Sequence, residues 1–521
     1  MDEFGATRRG GDLALATSDQ AAIDGILDSA ERLVIASAVS GNPSATLLYY
    51  VRDGIDLIFF CGETARIAAQ IAINPAVQAA VWSCDTQTDT AVEVSGRCIK
   101  LRDPALRKRA AARLGARSEA FARLSEAPPA SPETLACFRL RPTRLALVNP
   151  LAIPRFSWHD FPQNQPSDAA QALQAFGGWM RVWVGAVRAP IFTAIVVPVL
   201  LAAAIARHAM LHARHDGTWS WLMFAWVLSG AVLAAAGTNL INDYGDHGSG
   251  ADDCNQAASN PFTGGSRTIQ LGLMAPWKVL AGSAACFAAV VAIGFHINAL
   301  IAGSAFAATP LLAIGVIGCG LGITYSVGPF RLSYRGCGEV AVALGFGPVV
   351  MLGASYALTA ASGTPWPWLA SLLASLPAAT FNVVILWINQ FQDAPADAAS
   401  DKRNWVVRTA GRDDETFRFE RPFAIYRTIN LLSFGLVLLL GLLGCFAPGV
   451  ATPYLWLALL PFPIFLIAER RGRQWVARWQ DPAEDRRRLP YALLPVNALT
   501  ILVHFSTGLL LALGYLLAGK A

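Results

Sequence analysis

Charge is what this sequence has least of. Asp, Glu, Lys and Arg make up only 15% of the 521 residues, against roughly 25% in ordinary soluble domains, and 54% of the residues are hydrophobic. The charged residues are unevenly distributed along the chain. Residues 1–150 have the charge density and short alternating runs of a soluble domain, whereas apolar stretches of membrane-spanning length dominate from about residue 190 onward. This pattern excludes a wholly soluble protein.

Two other common features are missing. None of the nine cysteines belongs to a CxxC pair, so we interpret them as small buried side chains in a reducing compartment. Residues Met1 to Gly11 are polar, and the first apolar run, Leu33 to Ala38, is too short for a secretory signal. We therefore expect no cleavable signal peptide.

Nine apolar stretches have the length of a membrane span. They lie near residues 190–206, 219–241, 276–294, 298–320, 337–358, 366–388, 424–446, 452–468 and 493–518. Loops after the even-numbered spans hold most of the Arg and Lys residues, whereas the opposite loops hold Arg207 and Arg214, with Lys520 in the tail. By the positive-inside rule, the even-numbered loops and the N-terminal domain face the cytoplasm. We predict an all-α polytopic domain of about nine helices, over residues 190–521, in the inner membrane.

Residues 1–150 alternate short apolar runs with turn signals such as Asp53-Gly54, which favour hairpins. Predicted strands cover residues 32–38, 44–51, 55–60, 77–82, 90–101 and 137–149, and predicted helices lie near 18–29, 64–73 and 104–123. This order of elements favours a small closed or partly closed β-barrel of the α+β class.

Residues 151–189 are predicted to link the two domains. Prolines interrupt the first half, whereas residues 169–187 have the apolar spacing of a helix that carries Arg181, with Arg188 just after it. This helix either lies at the membrane surface or simply connects the domains.

The N-terminal domain resembles the flavin-binding split barrel of the pyridoxamine-phosphate-oxidase type over residues 20–150. The matching motifs are Ser44-Ala45-Thr46, Gly62-Glu63-Thr64-Ala65-Arg66 leading into Ile73-Asn74-Pro75, and Val94-Ser95-Gly96-Arg97-Cys98. The resemblance implies FMN as a cofactor, with Thr64 and Arg66 at its phosphate. Two alternatives remain open: a barrel that has lost its ligand and serves as a docking domain, and Arg66 as an ordinary solvated helix charge.

Two acidic clusters follow directly after apolar stretches. The first contains Asn242, Asp243, Asp246 and Asp252, and the second contains Asn389, Asp393, Asp397 and Asp401, followed by Lys402 and Arg403. Spacings of three and four place carboxylates on one helix face. Carboxylates at a membrane boundary are costly unless cations pair with them, so two sets indicate Mg²⁺ ions that hold a polyphosphate such as a prenyl diphosphate. Lys402, Arg403, Arg267 and Arg335 are then expected to contact phosphate oxygens.

Residues 180–518 resemble the UbiA-type superfamily of membrane prenyltransferases. Three loops show the resemblance: Asn239 to Asp246 with Asp252 and Gly264-Gly265-Ser266-Arg267; Tyr325-Ser326 to Gly338-Glu339; and Asn389 to Arg403. The pattern is most similar to the branch that prenylates 1,4-dihydroxy-2-naphthoate for menaquinone. Asp401 replaces the usual Gly, and Asn404 stands where Thr is common, so a specialised aromatic acceptor remains open.

The resemblance implies Mg²⁺-assisted loss of pyrophosphate and attack on the allylic cation by an electron-rich aromatic ring. The implied metal ligands are Asp243, Asp246, Asp252, Asp393 and Asp397, and all but Asp252 are also implied to be catalytic. The implied substrate-binding residues are Asn239, Asn242, Arg267, Asn389, Lys402 and Arg403. Tyr325 and Tyr334 either stabilise the cation and orient the acceptor or act as interfacial anchors.

Three other interpretations of the acidic clusters remain. They are solvated loop charges, coupling sites of a transporter for an anionic metabolite, or part of a membrane-anchored flavin-dependent oxidoreductase that acts on a quinone. The prenyltransferase is favoured because both acidic motifs are present. Its expected partners are a prenyl diphosphate, an aromatic acceptor and the lipid bilayer, with no nucleic acid.

Overall fold

The computed structural model describes residues 17–82, 90–116, 121, 135–148, 157–213, 218–255, 265–413, 416–484, 486 and 488–518. The chain divides into two compact units. The first, here called the barrel unit, comprises Met1–Trp183 together with Leu271–Ala275, and the second, the membrane unit, comprises Val184–Gln270 and Pro276–Ala521. The described residues do not include Asn149, Arg214, Gly264, Lys520 or the end of the predicted helix 104–123.

The barrel unit is built on one antiparallel sheet. Its strands are β1 (Arg32–Val39), β2 (Asn42–Asp53), β3 (Asp56–Gly62), β4 (Ala76–Trp82), β5 (Ala91–Lys100), β6 (Leu135–Val148) and β7 (Ser157–Asp160). The strand order is β3-β2-β1-β4-β5-β6-β7, and a further pairing of β3 with β6 closes β1 to β6 into a barrel. This confirms the predicted barrel. Strand β7 was not predicted, because the prolines around it suggested an irregular linker.

Alternating apolar residues fill the barrel. In β1, Leu33 and Ile35 are fully buried, and Leu57 and Phe59 of β3 join them in the same core. This period of two is what a strand with one buried face requires. The helices of this unit are α1 (Thr17–Ser29), α2 (Arg66–Ile73), α3 (Pro104–Gly115) and most of α4 (Asp168–Ala186).

The predicted linker helix is present as α4, and it packs on the barrel. Gly178 permits a close approach, since a Cβ at this position would lie 2.7 Å from the Ile73 carbonyl oxygen. Arg181 donates a 3.0 Å hydrogen bond to the Ala72 carbonyl. Leu173 and Phe176 on α4 remain exposed.

The membrane unit is all helical apart from a two-stranded hairpin, β8 (Gly411–Asp413) and β9 (Thr416–Arg418). Its helices are α5 (Thr193–His212), α6 (Trp221–Ser249), α7 (Ala251–Cys254), α8 (Pro276–Ala302), α9 (Pro310–Thr324), α10 (Gly338–Leu344), α11 (Val350–Ala360), α12 (Trp368–Ala399), α13 (Trp405–Thr409), α14 (Glu420–Gly444), α15 (Phe462–Gln480), α16 (Leu489–Ala492) and α17 (Leu494–Ala518). A π-helical turn at Gly345–Val349 joins α10 to α11.

Among the described residues, eight helices are long and apolar enough to cross a membrane. The fourth predicted span departs from this pattern, because α9 has only 15 residues. With these helices, the chain is a multi-pass membrane protein with an N-terminal barrel, as predicted.

Helices α6 and α12 continue past the ends predicted for their apolar segments, at residues 241 and 388, to Ser249 and Ala399. Helix α6 stops at Gly250, whose φ of 77° is left-handed. Asp401, just beyond α12, has a φ of 58°. Both acidic motifs therefore lie on the last turns of helices, where their spacings of three and four apply.

Candidate active site

The membrane unit contains an open cavity of about 820 Å³ that is lined mostly by apolar side chains. Along α6 the lining runs from Trp226, near the helix start, to Asp246, near its end. The polar lining residues include Arg188, Asn239, Asn242, Asp246, Asp252, Tyr325, Asn389, Asp393, Asp397 and Lys402. Most of the polar groups predicted from two distant motifs therefore line one cavity.

The first acidic cluster occupies one face of α6. Asn239, Asn242, Asp243 and Asp246 recur at helical intervals, and Asp243 and Asp246 are 2% and 4% exposed. Asp243 accepts a hydrogen bond of 3.2 Å from the backbone N–H of Ser266. Burial at this depth keeps both carboxylates from bulk water, so each depends on fixed partners.

Asp246 is held by three side chains. The Tyr334 hydroxyl donates to Oδ1 at 2.7 Å, the Asn242 amide donates to Oδ2 at 3.1 Å, and the Lys402 ammonium lies 3.0 Å from Oδ2. Burial, followed by the negative charge of Asp246, raises the pKa of Tyr334 to about 12. Tyr334 therefore stays protonated and acts as a donor to Asp246.

The second cluster lies on one face of α12, with Asn389, Asp393 and Asp397 at intervals of four. The Asn255 amide donates to Asp393 Oδ1 at 2.7 Å. The Asn404 amide donates to Asp397 Oδ2, also at 2.7 Å. Neutral amides thus orient both carboxylates without neutralising them.

Lys402 joins the two clusters. Its Nζ lies 3.0 Å from Asp246 Oδ2 and 3.7 Å from Asp397 Oδ1, and its side chain is only 16% exposed. Burial alone would lower the pKa of Lys402, but the charges of Asp246 and Asp397 raise it well above its usual value. A permanently charged ammonium therefore sits between the two acidic motifs.

Asp252 completes the first cluster from α7 and is 4% exposed. A Cβ at Gly265 would lie 3.0 Å from Asp252 Oδ2 and 3.2 Å from Asp243 Oδ1, so the backbone of Gly265 packs against both carboxylates. Burial and the charges of Asp246 and Asp243 raise the pKa of Asp252 well above its usual range. An additional cation at this point would relieve that repulsion.

Arg188 is the main site residue that sequence reasoning missed. It was grouped with the basic residues of a membrane-surface helix, but it forms an ion pair with Asp243 and its side chain is 19% exposed. It has a left-handed φ of 54° where the chain turns from α4 into the first span. A single arginine directly before a span was the available signal, but its partner lies 55 positions away.

Three residues predicted to contact phosphate, Lys402, Arg267 and Arg403, differ in their surroundings. Lys402 lines the cavity, whereas Arg267 donates from Nη1 to the Asp252 and Asn255 carbonyls at 2.7 and 2.8 Å. Arg403 is 67% exposed and pairs with Asp401, which is 80% exposed. Asp401 shares the spacing of the second cluster but not its burial.

The two predicted tyrosines also differ. Tyr325 lines the cavity, and burial raises the pKa of its hydroxyl, so the phenol stays neutral. Tyr334 supports Asp246, and the Arg331 guanidinium lies 4.0 Å from the centre of its ring. Ser326 was quoted in the motif without a role, and its hydroxyl donates to Asn242 Oδ1 at 2.5 Å.

The donor chemistry of the cavity fits Mg²⁺. Carboxylate and amide oxygens are the ligands that this hard cation prefers, and it usually takes one or two carboxylates, with water and substrate phosphates supplying the rest. In the part of the chain that the structure describes, no group of three Asp, Glu, His or Cys side chains is placed to hold one ion by itself. The arrangement therefore fits ions that are completed by a polyphosphate substrate.

The predicted flavin phosphate ligands lie at the start of α2. Thr64 is exposed, and Arg66 is the first residue of that helix. The guanidinium of Arg66 packs against Gly272, where a Cβ would lie 2.2 Å from Nη2. Gly272 belongs to the barrel unit. The Arg66 side chain remains exposed, but its guanidinium lies against the backbone of the chain itself at the place predicted for the flavin phosphate. This contact competes with a flavin phosphate for the cation.

Two family models match the chain. The model of pyridoxamine 5'-phosphate oxidase matches residues 20–149, and that of the UbiA prenyltransferase family matches residues 195–494. A solved structure, general stress protein 26 from Bacillus anthracis, is 13% identical with a TM-score of 0.23, and the match covers 28% of this chain and all of the other.

Two curated relatives match this chain over nearly their own full length. The 2-carboxy-1,4-naphthoquinone phytyltransferase of Synechocystis is 26% identical over 65% of this chain and 94% of its own. The 1,4-dihydroxy-2-naphthoate octaprenyltransferase of Mycobacterium tuberculosis is 29% identical over 57% of this chain and 90% of its own. Since the UbiA model covers more than half of the chain, this protein belongs to the UbiA prenyltransferase family and is a prenyltransferase.

Proposed function

We propose that the protein transfers a prenyl group from a prenyl diphosphate to an aromatic quinone precursor of the 1,4-dihydroxy-2-naphthoate type, in a Mg²⁺-dependent reaction at the cytoplasmic face of the inner membrane. The observation that supports this most is the joining of both acidic clusters by Lys402 at the polar end of one apolar cavity. The relatives that act on naphthoate compounds support the class of acceptor.

The polar end of the cavity suits a diphosphate head. Asp243, Asp246 and Asp252 on one side and Asp393 and Asp397 on the other would hold Mg²⁺, which neutralises the charge of the leaving diphosphate. Lys402 and Arg188 are largely buried cations within this set and can donate directly to phosphate oxygens. Their present carboxylate partners keep both side chains oriented before substrate arrives.

The apolar remainder of the cavity suits an isoprenoid tail. Its lining includes Val290, Ile314 and Val349, from α8, α9 and the π-helical turn. A volume of about 820 Å³ is ample for an extended hydrocarbon chain together with a ring. The tail would be held by burial of apolar area, which is non-directional, so several chain lengths are expected to bind.

In the proposed reaction, the bond between the prenyl C1 and the bridging oxygen breaks and the diphosphate leaves with the electron pair. An electron-rich ring carbon of the acceptor then forms the new bond to C1 and releases its proton to the departing diphosphate, which restores the aromatic ring. The half-buried, neutral ring of Tyr325 lines the cavity, where it can face the allylic cation and exclude water from it. Tyr334 holds Asp246 in orientation through its 2.7 Å hydrogen bond.

The cytoplasmic orientation rests on the distribution of cations. Arg267, Arg331, Lys402 and Arg408 lie in loops that follow even-numbered spans. This is the side that the positive-inside rule assigns to the cytoplasm. The prediction is that single cysteines introduced in the loop after α12 label only from the cytoplasmic side of sealed vesicles.

The test is transfer of a radiolabelled prenyl diphosphate to a panel of aromatic acceptors by the purified full-length protein in detergent. We expect a labelled naphthoate product that depends on added Mg²⁺ and disappears with a chelator. The matched control is the Asp243→Asn, Asp393→Asn double variant, which should remain folded and inactive. Equal turnover with and without chelator would refute the metal assignment, and labelling of a non-naphthoate ring would refute the acceptor.

A further inference from the structure

A short segment between the acidic loop and α8 belongs to the barrel unit. This segment, Leu271–Ala275, is separated from the rest of that unit by 87 positions of chain, residues 184–270. Gly272, Leu273 and Met274 are all buried, the last two at 7% and 3% exposure. The barrel unit thus contains a segment from a distant part of the sequence.

Gln70 of α2 holds this segment through its side-chain amide. Its Nε2 donates to the Leu271 carbonyl at 3.2 Å, and its Oε1 accepts hydrogen bonds from the hydroxyls of Ser37 and Ser44. Gln70 is fully buried. Because the two serine hydroxyls use Oε1, the amide N–H₂ is directed at the Leu271 backbone, and the loss of that donor would remove a hydrogen bond from a partly buried carbonyl.

Arg66 lies one helical turn before Gln70, on the same face of α2. Its guanidinium covers Gly272, where an added Cβ would lie 2.2 Å from Nη2 and 2.5 Å from Cζ. Gly272 also has a φ of 65°, which side-chain-bearing residues rarely adopt. Glycine at position 272 is therefore required twice, by the backbone conformation and by the contact with Arg66.

We propose that the face of α2 formed by Arg66 and Gln70 binds the Leu271–Ala275 segment in place of a flavin phosphate, and that it thereby positions the loop that precedes this segment. Within the membrane unit, that loop places the Ser266 N–H on Asp243 at 3.2 Å and the Gln270 amide on Asp252 Oδ2 at 3.3 Å. Gln270 is bonded covalently to Leu271. Fixing one end of so short a loop reduces the conformations available to the other.

Gln70→Glu and Gly272→Ala test the proposal from its two sides. The carboxylate that Gln70→Glu introduces can still accept from both serines but cannot donate to the Leu271 carbonyl. Gly272→Ala disfavours the left-handed backbone and places a Cβ against the Arg66 guanidinium. Gln78→Ala, at an exposed position on β4, is the matched control. All variants are made in the full-length chain.

The first two readouts are independent of prenyl transfer. We expect the purified protein to contain no flavin, and Arg66→Ala to leave its absorbance unchanged. We expect hydrogen exchange of residues 265–275 to be roughly fivefold faster in Gln70→Glu and in Gly272→Ala, the factor for one lost hydrogen bond. Stoichiometric flavin that is lost in Arg66→Ala would overturn the proposal, as would exchange rates equal to those of Gln78→Ala.

The third readout rests on the proposed function. Gln70→Glu and Gly272→Ala should each raise KM for the prenyl diphosphate roughly fivefold, with kcat little changed. A displaced loop weakens the diphosphate site without altering the reacting groups. Unchanged KM in both variants would show that the segment does not position the loop. If the wild-type chain transfers no prenyl group at all, the proposed function fails, and the exchange and flavin readouts still decide this inference.

Discussion

The two units differ in which polar groups they bury. Among the described residues of the barrel unit, the buried polar groups are neutral and include Ser37 and Gln70, which bond to each other, and the hydroxyl of Tyr50. The membrane unit buries carboxylates, including Asp243, Asp246 and Asp397. A neutral amide can be satisfied by backbone and hydroxyl partners, whereas a buried charge costs several kcal/mol unless an ion pairs with it.

This difference in buried polar groups indicates that those of the barrel stabilise its fold, whereas those of the membrane unit form the reactive site. In the barrel, Ser37 on β1 and Gln70 on α2 are satisfied by the chain itself, because Ser37 donates to Gln70 and Gln70 donates to the Leu271 carbonyl. In the membrane unit, five carboxylates, Asp243, Asp246, Asp252, Asp393 and Asp397, line or adjoin the site together with two cations, Arg188 and Lys402. An excess of buried negative charge is what a site for added cations requires.

The largest effect is expected within the second acidic series, where three aspartates share one spacing. Asp397→Asn should lower kcat/KM roughly 10²–10³-fold, because it removes a buried charge from the diphosphate site. Asp401→Asn should change it less than about twofold, since Asp401 is 80% exposed and pairs only with an exposed arginine. Steady-state transfer kinetics measure kcat/KM for both variants. Equal losses in the two would contradict the distinction between the buried Asp397 and the exposed Asp401.

The second-largest loss of kcat/KM is expected from one of two neighbouring cations, Lys402 and Arg403. Lys402→Met should lower kcat/KM about a hundredfold, because breaking a buried charge network costs about 3 kcal/mol. Arg403→Met should cost less than about 1 kcal/mol, as its side chain is 67% exposed. The same kinetic assay measures the pair. A larger loss in Arg403→Met than in Lys402→Met would contradict the assignment of Lys402 as the joining cation.

Arg188 and Arg181 are two arginines close in sequence, and each contacts a different unit. Arg188→Met should raise KM for the prenyl diphosphate roughly tenfold, because it leaves Asp243 without its cation. Arg181→Met should leave KM unchanged, since this residue hydrogen-bonds the Ala72 carbonyl in the barrel unit. Substrate-dependence curves for both variants provide the measurement, and an unchanged KM in Arg188→Met would remove Arg188 from the site.

The smallest effect is expected in the barrel core. Tyr50 is 1% exposed and donates a 2.7 Å hydrogen bond to the Leu27 carbonyl. Tyr50→Phe should therefore lower the free energy of unfolding by about 1 kcal/mol without changing transfer. Tyr49→Phe, which alters an exposed contact with Arg32, is the control. Thermal unfolding followed by circular dichroism measures the difference in stability between the two variants. A loss of prenyl transfer in Tyr50→Phe would contradict the expectation that the barrel core does not affect the reaction.

Much of the fold was predictable because hydropathy and strand alternation are local. The strands of the barrel and the starts of most membrane helices lie within a few residues of their predicted positions. The ends of α6 and α12 were predicted too early, because hydropathy falls at the first carboxylate although the helix continues for another two or three turns. The short α9 was overestimated because the apolar residues of its loop extend the hydropathy signal.

The site was predictable only in part. The acidic residues and Lys402 could be named from spacing, since i, i+3 and i, i+4 positions share a helix face. The pairing of Arg188 with Asp243 and the contact of Gln70 with Leu271 join residues 55 and 201 positions apart. No local pattern encodes such contacts. They become visible only when the chain is folded.

The central claim is that two acidic motifs and Lys402 form one diphosphate site. The most direct test is calorimetric titration of a prenyl thiolodiphosphate, with Mg²⁺, into the wild-type protein, Asp243→Asn, Asp393→Asn and the double variant. We predict that each single variant loses most of the binding and that the double variant loses little more, because groups that act as one unit are not additive. Independent, additive losses, or unchanged affinity in either single variant, would contradict the account.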